Sequence, residues 1–149
     1  ENKREFLKEV DLSVRDRVAV LSKTPFDKLP EYLSAADIIV IPQRLTSDSI
    51  GQIPARLFDA MAMGKPIVAT RISDIPEVLG GCGYLVDPND PSQLASAIQY
   101  IMSHPDEARL KGLAARERCK EMYDMHNLEL GLYKLVEQVI EKQSKNNCS

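Results

Sequence analysis

The sequence predicts an α/β fold: a Rossmann-like parallel sheet with helices on both faces. Two observations carry this. Short apolar runs, Ile38–Ile41, Pro66–Thr70 and Tyr84–Val86, are continuous rather than alternating, as strands buried on both faces require. Between them lie segments with apolar residues at three- and four-residue spacing, which marks amphipathic helices, and this alternation is the order that builds a parallel sheet. At 149 residues the chain suits one domain, 1–149, with a polar tail over 142–149 that is expected to fray.

Taken in order, residues 2–10 read as a helix end with Phe6, Leu7 and Val10 apolar. Arg17–Ser22 reads as a strand, and Thr24–Asp27 as a turn with Asp27 as a helix N-cap. Leu29, Tyr32, Leu33 and Ala36 form a short helix, and Asp37–Ile41 the clearest strand, closed by Pro42. A polar loop, Gln43–Gln52, is long for a strand-to-helix connection, and such loops are often functional. Gly51 lets it turn sharply. Pro54 opens a helix at its first position, Leu57, Phe58 and Met61 give it one apolar stripe, and Gly64 stops it.

After the Pro66–Thr70 strand, Arg71–Leu79 is a loop into a brief helical turn, and Gly80, Gly81 and Gly83 break it before Tyr84–Val86. Asp90 caps a helix with Leu94, Ala97, Ile98, Ile101 and Met102 on one face. Residues 106–122 form the next helix with Leu110, Leu113 and Ala114 inward. Met125, Leu128, Leu132, Leu135 and Val139 mark the last. Its apolar stripe is a route to self-association if left uncovered. This gives four strands.

Composition excludes several functions. The net charge of -3 lacks the clustered Lys and Arg of a dedicated nucleic-acid binder. No apolar run nears the roughly 20 residues that span a bilayer, and the charged opening ENKREFLKEV has no signal-peptide pattern. Cys82, Cys119 and Cys148 show no metal-like pairing and read as reduced thiols of a cytoplasmic protein. His104 and His126 read as surface or capping residues, and no metal or cofactor is expected. The absence of Met at the start suggests a piece of a longer chain.

The stretch around which the rest is arranged is Ser49–Thr70, SIGQIPARLFDAMAMGKPIVAT: glycine-containing loop, helix, tight break, buried strand. A helix N-terminus presents unpaired N–H groups and a positive dipole end, which favours phosphate. Spacing alone makes no site, since most such units in α/β proteins are scaffold. The residues say more. DAMAMGKPIVAT resembles the EAMAxGxPVVA segment of the family-4-type, retaining GT-B glycosyltransferases. Leu33–Pro42 resembles their YxxADVFVLPS, Ser73–Val78 their GGIPEV with Ser73 and Asp74 in place of the glycines, and Gly83–Pro88 their GLLVDP.

The resemblance, from Arg17 to about Tyr123, implies the C-terminal, donor-binding domain of such an enzyme, truncated on its N-terminal side. The parent would transfer a sugar from a UDP- or GDP-sugar to a hydroxyl, and the fragment alone would be inactive. It further implies that Asp59, standing at the family's second Glu, accepts hydrogen bonds from the nucleotide ribose. A carboxylate offers two acceptor oxygens to a vicinal diol, and Asp reaches about 1.5 Å less than Glu. Ile50, Gly51, Gln52 and Ile53 would offer backbone N–H groups to the diphosphate and sugar, with Ser49 and Gln52 adding side-chain bonds. Lys23, Thr24 and Pro25 would lie along the base. Glu77 matches a residue near the base pocket and reads equally as a helix N-terminal charge.

Two departures stand out. Gly51 occupies the place of the first Glu and has no carboxylate, leaving Asp48, three residues earlier, as a weak substitute for contact with the donor sugar. The family's phosphate-clamping Arg and Lys lie upstream of this chain, with Arg44 or Arg71 as distant stand-ins. The partners implied are the nucleotide-sugar donor and an N-terminal acceptor-binding domain of the same parent. The implied location is cytoplasmic, at the inner membrane face where polysaccharide or glycolipid is assembled. A non-catalytic nucleotide-binding or scaffold half paired with a catalytic partner is the alternative. An epimerase of similar architecture would need an acidic pair and a His that are not seen here.

Overall fold

The computed structural model describes residues 3–21 and 24–146. Three parallel strands, β1 (Ile39–Ile41), β2 (Ile67–Thr70) and β3 (Tyr84–Val86), pair in that order. Seven α-helices accompany them: α1 (Lys3–Glu9), α2 (Leu29–Ser34), α3 (Ala55–Ala62), α4 (Ile75–Leu79), α5 (Pro91–Ser103), α6 (Pro105–Tyr123) and α7 (Met125–Asn146). Helix α7 carries the chain past residue 142, where a frayed tail was expected. Lys and Gln favour helix there as well as a tail, and residues 147–149 lie outside the described part. No described helix is long and apolar enough to cross a membrane.

The central strand β2 is buried throughout. Its residues alternate between two cores. Ile67 and Ala69 face Leu57 and Met61 of α3, Leu79 of α4 and Ala115 of α6. Val68 faces Val86, Ile101 of α5 and Ala108. Helices therefore cover both faces, as the continuous apolar runs predict. Capping follows the sequence at α5, where the Gln93 N–H donates to Asp90 Oδ1 at 2.9 Å. His104 ends α5 with its Nδ1 2.9 Å from the Tyr100 carbonyl.

Several expectations fail for physical reasons. Arg17–Leu21 is not a strand, and Ser22 lies outside the described residues. Arg15–Arg17 is a 3-10 turn, held by the Arg15 guanidinium on the Val10 carbonyl at 3.0 Å. Beyond it Val18 is extended but joins no ladder, so β-favouring residues without a partner edge make no strand. Asp27 caps nothing. It lies inside a 3-10 turn, Phe26–Lys28, that runs straight into α2. Pro54 is the N-cap of α3 rather than its first residue.

The inward face of α6 also differs. Leu110 and Leu113 are 61% and 43% exposed, and Ala114 is exposed too. The buried positions are Ala108, Gly112 and Ala115, continuing to half-buried Cys119 and Tyr123. Small residues face inward because α6 crosses the α3–β2 turn at backbone distance. A Cβ on Gly112 would lie 2.4 Å from the Gly64 carbonyl oxygen. On α7, Leu128, Leu132, Leu135 and Val139 are all exposed.

Candidate functional site

The loops leaving the C-terminal ends of parallel strands are where open α/β sheets bind ligands. Here they are residues 42–54 after β1 and 71–74 after β2. The first is closed on itself. Ser49 is buried, and its hydroxyl accepts from the Thr46 N–H at 2.9 Å while lying 2.6 Å from the Arg44 carbonyl and 2.9 Å from that of Thr46. That side chain, expected to add a ligand contact, is engaged inside the loop.

The expected backbone cradle is also largely engaged. The Ile50 N–H donates to the Thr46 carbonyl, Gln52 to that of Ser49, and Gly51 to the Ser73 hydroxyl at 2.9 Å. A tight loop satisfies its own donors before it offers them outward. Among the described residues, Ile53, Ala55 and Arg56 have backbone N–H groups without an acceptor. These flank the start of α3, where the dipole is positive. Asp48 is exposed and within 3.2 Å of the Ser47 hydroxyl, and the side chains of Ile50 and Gln52 are exposed.

Asp59 lies one turn into α3. Its backbone supports the helix end, with the carbonyl accepting from the Met63 N–H at 3.0 Å. Its carboxylate has no hydrogen bond or ion pair among the described residues, so the Arg56 pairing that spacing allows does not form. It opens onto a depression of about 140 Å³ lined by Phe26, Leu29, Pro30, Leu33, Ala62 and Met63. Phe26 is 84% exposed at the rim. Thr24 is half-buried just before it, and Lys23 lies outside the described residues. From the sequence Leu29 reads only as a helix position and Phe26 only as part of the Thr24–Asp27 turn. The available signal was an aromatic residue directly after Thr24-Pro25.

The remaining candidates stand apart. Glu77 is exposed in the first turn of α4, where an acidic side chain suits the helix dipole. The carbonyls of Glu77 and Val78 accept from Arg118 Nη2 and Nε, both at 2.9 Å, which caps the end of α4 above Gly80. Arg71 pairs with Asp87 at 3.4 Å, and Arg44 is exposed.

Behind Asp59, the Cys119 thiol packs against the Phe58 carbonyl. Burial pushes this thiol above its ordinary value, and the Asp124 and Asp59 carboxylates add to the rise. Less thiolate at a given pH means slower alkylation. Iodoacetamide at pH 8 is therefore expected to modify Cys119 more slowly than free cysteine, and Asp59→Asn to speed it. Mass spectrometry of the labelled peptide checks both.

These features lie at the C-terminal end of a parallel sheet. Residues 1–104 match the glycosyl transferases group 1 family, and the chain belongs to it. It is 37% identical over 107 residues to alpha-maltose-1-phosphate synthase of Mycolicibacterium smegmatis, covering 66% of this chain and 26% of that protein. It is 30% identical over 121 residues to MMP alpha-(1->4)-mannosyltransferase of Mycolicibacterium hassiacum, covering 79% of this chain and 28% of that protein. Sucrose-phosphate synthase from Thermosynechococcus elongatus superposes with a TM-score of 0.79 at 27% identity, covering 93% of this chain and 34% of that one. The chain thus spans about a quarter to a third of the length of these relatives.

Proposed function

We propose that this chain is the donor-binding, C-terminal half of a retaining GT-B glycosyltransferase that takes its sugar from a UDP- or GDP-sugar. The observation that carries the reading is the unpaired Asp59 carboxylate on the wall of an apolar depression, one turn beyond the unpartnered N–H groups at the start of α3. Residues 55 and 59 share a helix face, about 6 Å apart along the axis. That span lets a ribose reach Asp59 while its diphosphate meets the helix start. Phe26 and Leu29 supply apolar surface for a base.

The phosphate role falls to the Ile53 N–H of the loop and to those of Ala55 and Arg56, rather than to Ile50, Gly51 and Gln52. Donors aimed at the leaving diphosphate would stabilise its growing charge in the transition state. The missing carboxylate at Gly51 favours a second reading, a nucleotide-binding half that leaves catalysis to another domain or chain. On the first reading the acceptor side lies in a preceding domain of the same parent; on either reading this portion alone does not turn over. On this reading the parent works at the cytoplasmic face of the membrane, with glycan or glycolipid as product.

Titration calorimetry with UDP and GDP, with Asp59→Ala as control, tests the site. One nucleotide should bind and lose affinity in the variant. Binding of neither to the full-length protein, or equal binding by the variant, overturns it. Loss of transfer by Asp59→Ala in a folded full-length protein supports the enzyme reading, and unchanged transfer the scaffold.

A further inference from the structure

We infer that Ser73 is a positioning residue for donor binding: its hydroxyl latches the loop after β1 to the turn after β2. The inference rests on the proposed donor site. Ser73 has φ +47, a backbone conformation that side-chain-bearing residues rarely adopt. The resemblance places glycine at this position, and glycine adopts such angles freely. Serine brings a hydroxyl instead. Its Oγ accepts from the Gly51 N–H at 2.9 Å and donates to the Ser49 carbonyl at 3.1 Å. Two of the places where the sequence departs from the family pattern, 51 and 73, therefore touch each other.

The latch has a counterpart at the other end of the loop. Thr70, the last residue of β2, donates its hydroxyl to the Gln43 carbonyl at 2.9 Å. Thr70 thus holds the loop where it leaves β1, and Ser73 holds it just before it enters α3. Between them the buried Ser49 hydroxyl closes the loop internally. Gly51 itself has φ +80 and open space around the site of a Cβ, so no side chain of its own fixes it. Ser73 supplies that restraint. Two residues further on, the Ile53 N–H and the start of α3 are set in place for an anionic group, which is how a residue acts on affinity through the backbone it positions.

Ser73→Gly removes the hydroxyl while suiting the backbone angle, so global stability should be unchanged or slightly raised. In the full-length protein, hydrogen–deuterium exchange should accelerate in peptides covering residues 45–53. Affinity for whichever of UDP or GDP binds should fall about two- to tenfold, the range of one or two exposed hydrogen bonds. The donor KM should rise with kcat little changed. Ser73→Ala, which keeps the unfavourable angle, should show the same acceleration with lower stability.

Unchanged exchange in Ser73→Gly overturns the latch, whatever the nucleotide data. Faster exchange with unchanged affinity overturns its role in binding. If the unaltered protein binds neither nucleotide, it is the donor-site reading that fails, and exchange still decides the latch.

Discussion

Gly112→Ala should destabilise the protein by about 3 kcal/mol, the upper end of the usual range for overpacked sites. Helix propensity alone predicts the opposite, because alanine is favoured over glycine by about 1 kcal/mol in a helix interior. Sterics decide the sign. The added Cβ would sit 2.4 Å from the Gly64 carbonyl oxygen and 2.8 Å from the Lys65 carbonyl carbon. Both are backbone atoms, so no side chain can swing aside. Gly64 has φ +65 and holds the tight break between α3 and β2, so it has little room to retreat. Relief requires α6 to lift off α3, opening the core around Ala115, Leu57 and Met61. Gly131→Ala on α7 is the internal control, since nothing lies within 4 Å of its Cβ position. There propensity acts alone, and stability should be unchanged or rise by up to about 1 kcal/mol. Urea denaturation of both variants reads the contrast. Equal behaviour of the two would mean that α6 does not pack on the turn as closely as described.

Gly112 also shows where sequence reasoning stops. The three strands, α3 and the Asp90 cap were legible because apolar runs, helical spacing and cap chemistry are local signals. The inward face of α6 was not. A search for apolar periodicity selects Leu110 and Leu113, whereas close approach of two backbones selects the smallest residues, Ala108, Gly112 and Ala115. The segment 17–21 carries strand propensity, but propensity does not say whether an edge is available to pair with. At the candidate site, Asp59 is marked out by the resemblance of its neighbourhood. The N–H groups of Ile50, Gly51 and Gln52 read as outward-facing because nothing local shows that Thr46, Ser49 and Ser73 accept them first. Ser73 and Phe26 had visible signals, a departure from two glycines and an aromatic after Thr24-Pro25. Neither had a meaning until the chain brought them against Gly51 and Asp59.

The largest functional effect is expected at Asp59. Asp59→Ala should weaken binding of the cognate nucleoside diphosphate about ten- to a hundredfold, as loss of hydrogen bonds to a charged acceptor predicts. The fold should survive, because the carboxylate is half-buried and makes no internal bond that holds α3. Affinity loss alone does not locate the contact, since any charge removed near a phosphate changes binding. A thermodynamic cycle with the 2′-deoxy nucleotide does. If the carboxylate accepts from the ribose, removing the 2′-hydroxyl costs affinity in the unaltered protein and little more in Asp59→Ala. Asp59→Asn should lie between them, because an amide has one acceptor oxygen where the carboxylate has two. Asp59→Glu should retain binding, since the longer acid is the residue that the family pattern carries at this place. Strict additivity of the deoxy substitution and Asp59→Ala would place the ribose elsewhere and leave Asp59 as a solvated helix charge beside an apolar depression.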